Sequence, residues 1–126
     1  MLFRSAALPV TDRTIAHLDD MLSFVRELRA MAEGFTESAF VADRIRCLAT
    51  EKLFINIGEA AMRIGDRAAR IPDIPWRRII GLRNILAHGY ETVAHEVLFR
   101  TISKDLPDLA NALADLIASL DPRNQS

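Results

Sequence analysis

Apolar residues recur along most of the chain at steps of three and four, the spacing of a helix with one buried face. In the first such segment, Thr11 or Asp12 can cap a helix, and Gly34 lies just past its end. The apolar positions of this helix are Ile15, Leu18, Leu22, Val25 and Leu28. Thr36 then opens a short turn, so we predict one amphipathic helix before it.

A second, longer helix is predicted from Asp43 to Ala69. One apolar stripe consists of Phe54, Ile57, Ala61, Ile64 and Ala68, and a second stripe of Ile45, Leu48 and Ile55. Two stripes predict that this helix contacts neighbours on two sides. At about 27 residues it would be roughly 40 Å long, which suits one arm of an antiparallel helical pair.

The segment "IPDIPW" interrupts the helical pattern, because Pro72 and Pro75 both disfavour a continuing helix. Pro75 fits the first turn of a third helix, which is predicted to stop near Gly89. This third helix lies in a run from Ile74 to Tyr90 that contains no acidic residue. Any chemistry in this run therefore depends on its cations, amide and histidine.

Two further helices complete the prediction. One begins within residues 92–94 and reaches about Ser103, and the last restarts at Asp105 and Pro107. Its inward positions are Leu109, Leu113, Leu116, Ile117 and Leu120. Since no segment shows strand alternation bounded by hairpin signals, the predicted fold is all-α, an up-and-down bundle of four to five helices.

Length and charge restrict the class of protein. We expect a single domain over residues 1–126, with residues 1–10 as a leading segment and residues 121–126 as a tail. The net charge of -1 excludes a global basic field for nucleic acid, so polyanion binding must be local. The single cysteine, Cys47, is predicted to be a small buried hydrophobe. No stretch reads as a secretory leader or a membrane span, so a cytoplasmic protein is expected.

The third helix places its polar residues unevenly. At 100° per residue, its broad apolar face holds Ile79, Leu82, Ile85 and Leu86, and a polar cluster holds Arg77, Asn84 and His88. Arg83 falls outside that cluster, among Ile79, Ile80 and Ala87. A guanidinium loses solvation among such neighbours unless a partner or an interface compensates it. This side of the helix is therefore expected to meet something, such as a second copy of the chain.

Arg83 and His88 are five residues apart, about 140° around a straight helix, and do not share a face. Two routes can bring them together. The helix can end at Ala87, with Gly89 letting the backbone turn and re-aim His88. Alternatively, residues from two chains can meet across a two-fold interface. Both routes remain open at this point.

If the two side chains converge, they suit one kind of chemistry. Arginine is a forked, permanent cation that binds a phosphodiester, and histidine exchanges protons near neutral pH. Without a carboxylate cluster for magnesium, this pair fits metal-independent cleavage of RNA, in which the 2′-hydroxyl attacks the adjacent phosphate. By residue type alone, an alternative remains: His88 caps a helix end and Arg83 forms a salt bridge.

A longer pattern narrows these alternatives. Arg83, four residues, His88, Gly89 and Tyr90 form an RX4HXY motif, which resembles the signature of HEPN-domain ribonucleases and specifically of HepT-like toxins. "IPWRRIIGLRNILAHGY" is similar to the central segment of that family, and "NIGEAAMRI" resembles its glycine–glutamate–alanine stretch. "DLPDL" resembles the start of its last helix. The resemblance covers about Asp12 to Leu120.

The resemblance implies a function and partners. It implies a homodimeric helical ribonuclease toxin with Arg83 and His88 as the catalytic pair and Asn84 as their polar support, with no metal or cofactor. It also implies a minimal nucleotidyltransferase antitoxin that transfers AMP from ATP to Tyr90, where an anionic adduct would occupy the arginine. On a continued helix Tyr90 would lie about 20° from Arg83. The alternative is a catalytically inactive HEPN module that binds RNA or docks a nucleotidyltransferase.

Four further residues near the motif are assigned predicted roles. Arg77 and Arg78 add a local cationic patch beside Arg83, so we assign them to substrate positioning. Trp76 either packs in the core or stacks a base, and the core is favoured. His95 departs from the acidic helix cap common in the family, and it is predicted to be solvated rather than to transfer protons.

Overall fold

Six α-helices and one 3₁₀ helix make up the part of the chain that the structure describes, with no strand. This computed structural model describes the backbone of residues 4–89, 92–121 and 123, and the side chains of those residues except 4–12, 69 and 70. The helices are α1 (Arg4–Ala32), α2 (Glu37–Ala42), α3 (Arg44–Ile64), the 3₁₀ helix (Gly65–Arg70), α4 (Trp76–His88), α5 (His95–Lys104) and α6 (Leu106–Leu120). The predicted all-α fold is confirmed.

The core forms where α1 packs against α3 and α6, and α4 lies on the α3 side of this core. The buried residues include most of the predicted ones: Leu18, Leu22, Val25, Leu28, Phe54, Ile57, Ala61, Ile64, Leu109 and Leu113. Cys47 is also buried, as predicted, and its Sγ donates to the Phe40 carbonyl oxygen at 3.4 Å. The helical periodicity of the sequence therefore identifies the core correctly.

Several helix ends differ from the prediction for local reasons. The first helix begins at Arg4, so Thr11 and Asp12 lie inside it rather than capping it. The predicted turn after Thr36 is the short helix α2, because the Thr36 hydroxyl accepts a hydrogen bond from the Ala39 amide at 3.2 Å. None of the described helices is long and apolar enough to span a membrane.

The long second helix divides into two elements at Gly65. That residue has φ 67° and ψ -141°, a backbone conformation that a continuing α-helix does not allow. The 3₁₀ helix follows and changes the direction of the chain before α4. The predicted single helix to Ala69 is therefore wrong in its last turn and a half.

Helix α3 contacts neighbours on two sides, α1 and α4, as predicted. Part of its second apolar stripe nevertheless stays uncovered. Ile45 and Leu48 are 81% and 48% exposed, and Met62 on the same helix is also exposed. Ile55, the third residue of the stripe, is half-buried. Within the described part of the chain, α3 therefore keeps an exposed apolar surface at Ile45 and Leu48.

Candidate functional site

Helix α4 lies on α3 at a point where α3 has no side chain. A Cβ atom added at Gly58 would lie 2.2 Å from Cβ and 2.7 Å from Cγ of Arg83, and 3.2 Å from the carbonyl oxygen of Ile79. The first two distances are too short for any real Cβ and the third is unusually tight, so only glycine permits this approach of the two helices. Gly58 therefore sets the depth at which the Arg83 stem lies against α3.

The guanidinium of Arg83 has two partners within the chain. Nη2 lies 3.5 Å from Oε2 of Glu59, and Nη1 donates to Oδ1 of Asn84 at 3.0 Å. The Arg83 side chain is only 21% exposed, and its Nε is buried with no hydrogen-bond partner among the described residues. Helix α3 of the same chain thus supplies the partner that was expected for Arg83 on this apolar side of the helix.

This arrangement leaves Arg83 part of its binding capacity. A guanidinium has five N–H donors, and two of the four on the Nη atoms of Arg83 meet Glu59 and Asn84. The neighbouring carboxylate and amide also restrict the orientations of the planar group. Arg83 is therefore a cation held in a defined position, with Nη donors remaining for an anion.

His88 is the last residue of α4 and is exposed. The helix continues through it, because the Gly89 amide donates to the Ile85 carbonyl oxygen at 3.1 Å. The left-handed turn at Gly89, φ 68° and ψ 16°, comes after His88 and does not re-aim it. The route in which the helix ends at Ala87 is therefore wrong, and within one chain Arg83 and His88 lie on different faces of α4.

The other predicted positioning residues lie on the open side of α4. Asn84 and Arg77 are exposed, as is Arg78, whose Nη2 is 3.6 Å from Oδ2 of Asp105. This exposed ion pair is weak but reduces the positive charge of the patch on that side. Trp76 is half-buried against the core, as favoured from the sequence, and its indole N–H donates to a backbone oxygen at 3.1 Å.

His95 begins α5 and is not simply solvated, so that prediction is wrong. Its Nε2 lies 2.6 Å from Oε2 of Glu51, and both side chains are half-buried. Ala94 precedes it as a helix cap without a side-chain hydrogen bond. The contact with Glu51 replaces the acidic cap and fixes the start of α5 on α3.

Gly58 and Glu59 lie in the glycine–glutamate–alanine stretch, but the sequence alone assigned neither residue a role. The signal was present, since a guanidinium predicted among apolar neighbours requires a carboxylate somewhere in the fold. What the sequence did not supply was the pairing of helices that selects Glu59. Tyr90, the predicted modification site, lies outside the described residues, and α4 does not continue towards it as a helix.

Comparisons with known proteins indicate the family of this chain. The family described as "Ribonuclease HepT-like" matches residues 21–116, which include all of α3, α4 and α5. A "Probable ribonuclease HepT" of Thermococcus cleftensis is 33% identical over 95 residues, covering 71% of this chain and 86% of that protein. A "Putative RNase" of Methanocaldococcus jannaschii is 27% identical over 95 residues, covering 75% and 87%. No solved structure gives a significant match.

Proposed function

We propose that this chain, which belongs to the HepT-like ribonuclease family, is an endoribonuclease toxin that uses Arg83 and His88 to cleave RNA without a metal ion. The observation that carries the proposal is the state of Arg83. A half-buried guanidinium, held by Glu59 and Asn84 over a glycine, is an expensive arrangement for a salt bridge alone. It is well suited to hold one phosphate in a fixed place.

The proposed reaction is a transfer within the RNA chain. The 2′-oxygen forms a bond to the adjacent phosphorus, and the bond from phosphorus to the 5′-oxygen of the next nucleotide breaks. The proton lost by the 2′-hydroxyl and the proton gained by the leaving oxygen pass through His88, while Arg83 stabilises the charge on the phosphate. The products are a 2′,3′-cyclic phosphate and a 5′-hydroxyl end.

Three further residues are proposed to position the substrate. Asn84 orients Arg83 through its side-chain oxygen, and its side-chain N–H groups can donate hydrogen bonds to the same phosphate. Arg77 and Arg78 are exposed on α4 and attract neighbouring phosphates. Because Asp105 pairs with Arg78, we expect Arg77 to contribute the larger share of the attraction.

A homodimer is proposed because one chain leaves the catalytic pair divided. Arg83 faces α3 and His88 is exposed about 140° away on the same helix. A two-fold axis beside α4 would let Arg83 of one chain and His88 of the other face one RNA strand. The exposed Ile45, Leu48 and Met62 of α3 supply apolar surface for such an association.

Regulation is proposed to follow the family motif. A nucleotidyltransferase antitoxin would add AMP to Tyr90, two residues after His88, and the added phosphate would compete with RNA for the arginine. The test is an intact mass of the protein co-expressed with such a partner. A gain of one AMP unit, or a multiple, on Tyr90 supports the proposal, and unmodified protein in an inhibited complex contradicts it.

The activity is tested with protein purified away from any partner. Wild type should cleave single-stranded RNA in the presence of EDTA, leave cyclic phosphate ends, and spare RNA whose 2′-hydroxyls are methylated. Arg83→Ala and His88→Ala should each lose activity by about a thousandfold or more while remaining folded. Arg26→Ala, at an exposed arginine of α1, is the matched control and should retain full activity.

Two results would contradict the assignment. If Arg83→Ala and His88→Ala both cleave as well as wild type, the catalytic pair is wrong. Tight RNA binding without cleavage by unmodified wild type would select the alternative of an inactive RNA-binding module.

A further inference from the structure

The open side of α4 faces a cavity that the proposed reaction does not use. The cavity has a volume of about 870 Å³ and lies between the 3₁₀ helix and the first half of α4. Its apolar walls include Ile71, Trp76 and Ile80, and its polar groups include Asp66, Arg77 and Asn84. It is therefore an apolar recess with a small number of polar groups around it, the usual composition of a ligand site.

The cavity adjoins the candidate catalytic residues along α4. Asn84 lines the cavity and also accepts a hydrogen bond from Arg83. His88 lies one helical turn beyond Asn84 on the same polar side, about 6 Å along the axis. A nucleotide whose phosphate rests at His88 would therefore have its neighbour beside this recess.

The lining suits a nucleobase better than an alkyl chain or a peptide backbone. A base has two flat faces for apolar and aromatic walls and a polar edge for hydrogen bonds. The Trp76 indole is fixed as part of one wall by its hydrogen bond to the Ile71 carbonyl oxygen. The Asp66 carboxylate can accept from a base N–H, and Arg77 at the rim can hold the attached phosphate.

We propose that this cavity binds one unpaired base of the RNA next to the scissile phosphate and thereby selects the sequence that is cleaved. The inference rests on the proposed ribonuclease function and adds a specificity subsite to it. An acceptor at Asp66 favours a base whose edge presents N–H donors over one that presents only acceptors.

The cavity contains its own reporter, because Trp76 is the single tryptophan of the chain. Short 2′-O-methyl RNAs, which lack the attacking hydroxyl, are titrated while tryptophan emission is recorded. We expect the RNA to quench the emission until binding saturates, with a Kd that differs by about tenfold among oligomers of different base. The difference arises because a mismatched base leaves polar groups of the cavity unpaired. An oligomer with an abasic position should bind without quenching, measured by the anisotropy of a label.

Variants separate the cavity from the catalytic pair. Asp66→Asn should redistribute the cleavage sites on a mixed-sequence RNA by at least about fivefold, because the edge acceptor becomes a mixed donor and acceptor. Ile80→Ala should weaken the base-dependent quenching. Asp19→Asn, an equivalent change at an exposed residue of α1, should alter neither measurement.

The possible results distinguish failure of the cavity proposal from failure of the ribonuclease proposal. Cleavage by wild type with no base-dependent change in Trp76 emission would overturn the cavity proposal and leave the ribonuclease function intact. Base-dependent quenching without any cleavage would overturn the ribonuclease function and leave base binding in the cavity intact. Loss of the base-dependent quenching at protein concentrations where the dimer forms would show that a second copy covers the cavity, and would also overturn the proposal.

Discussion

Arg83 and His88 lie on the same helix but in opposite surroundings. Arg83 packs over Gly58, has a carboxylate and an amide as partners, and is mostly removed from solvent. His88 is exposed in the final turn, immediately before a left-handed glycine. One side chain is packed between two helices, while the other is exposed in the last turn of α4.

The contrast shows how a site can be divided between a chain and its assembly. Packing of α3 on α4 orients the guanidinium, because its hydrogen-bond partners Glu59 and Asn84 come from those two helices. Nothing in that packing brings the imidazole to the same face. We therefore expect that symmetry, rather than the folding of one chain, completes the proposed catalytic pair.

The largest expected effect comes from mixing two inactive variants. If each site takes Arg83 from one chain and His88 from the other, a heterodimer of Arg83→Ala and His88→Ala contains one intact site. Random exchange of subunits should then restore about a quarter of wild-type activity from a near-zero background. The measurement is the cleavage rate after the two proteins are unfolded and refolded together.

The control is each variant refolded alone, which should remain inactive. A mixture that stays inactive, although mass analysis shows heterodimers, would mean that both residues act from the same chain. The proposed contrast, in which packing within one chain positions Arg83 and the dimer interface positions His88, would then be wrong.

The next largest effect is expected from Gly58→Ala. The added methyl group overlaps the Arg83 stem, so α4 must move away or Arg83 must change rotamer. Overpacking of this kind costs about 1–3 kcal/mol of unfolding free energy. We expect cleavage to fall by about a hundredfold, since small displacements of catalytic groups have effects of this size.

Gly81→Ala is the matched control, because a Cβ there meets nothing within 4 Å. It should raise the unfolding free energy by about 0.5–1 kcal/mol, as alanine favours a helix over glycine. The measurements are the unfolding free energy from denaturant unfolding and the rate of RNA cleavage for both variants. Equal behaviour of the two substitutions would show that the tight approach at Gly58 does not position Arg83.

A smaller effect is expected from His95→Ala. This residue lies close to the motif in sequence, but its Nε2 is engaged by Glu51. Loss of the contact should lower the unfolding free energy by about 1 kcal/mol, the usual value for a partly exposed hydrogen bond. Cleavage by the folded protein should stay within about twofold of wild type. A thousandfold loss of cleavage would instead make His95 the proton-transfer group.

The smallest effect concerns pH and the start of α3, the helix that supports Arg83. The Asp43 carboxylate accepts a hydrogen bond from the Arg46 amide, and this backbone hydrogen bond is the main reason that the pKa of Asp43 is lowered. A lowered folded-state pKa means that the contribution to stability is present above the unfolded pKa. It is lost as the pH falls through the lower, folded value.

Asp43→Asn keeps an N-cap oxygen and removes this titration. The difference in unfolding midpoint between wild type and Asp43→Asn should therefore shrink as the pH is lowered below the ordinary aspartate range. Thermal unfolding across that range is the measurement. A difference that grows in acid would contradict the assigned sign.

The sequence predicts more of the fold than of the site. The buried positions of α1 and α3 follow from periodicity, because burial repeats with the helical turn. The end of α3 at Gly65 does not, since glycine inside a helical pattern is also tolerated. The residues of the motif are identifiable from their spacing, and the apolar surroundings predicted for Arg83 correctly indicate that it needs a partner.

Which residue becomes that partner depends on long-range helix pairing. Glu59 meets Arg83 because α4 crosses α3 at Gly58, 25 residues before Arg83 in the chain, whereas Asn84 is the sequence neighbour of Arg83. The same limitation explains the error at His95, whose partner Glu51 is 44 residues away. Local patterns report the face of a helix, but not the neighbour that covers it.

The two carboxylates of α3 also define a span. Glu59 holds Arg83 near the end of α4, and Glu51 holds His95 at the start of α5, at points about 12 Å apart along α3. The last turns of α4 and the first turn of α5 are consequently both attached to the same helix. Loss of either carboxylate would release one of these two attachments to α3.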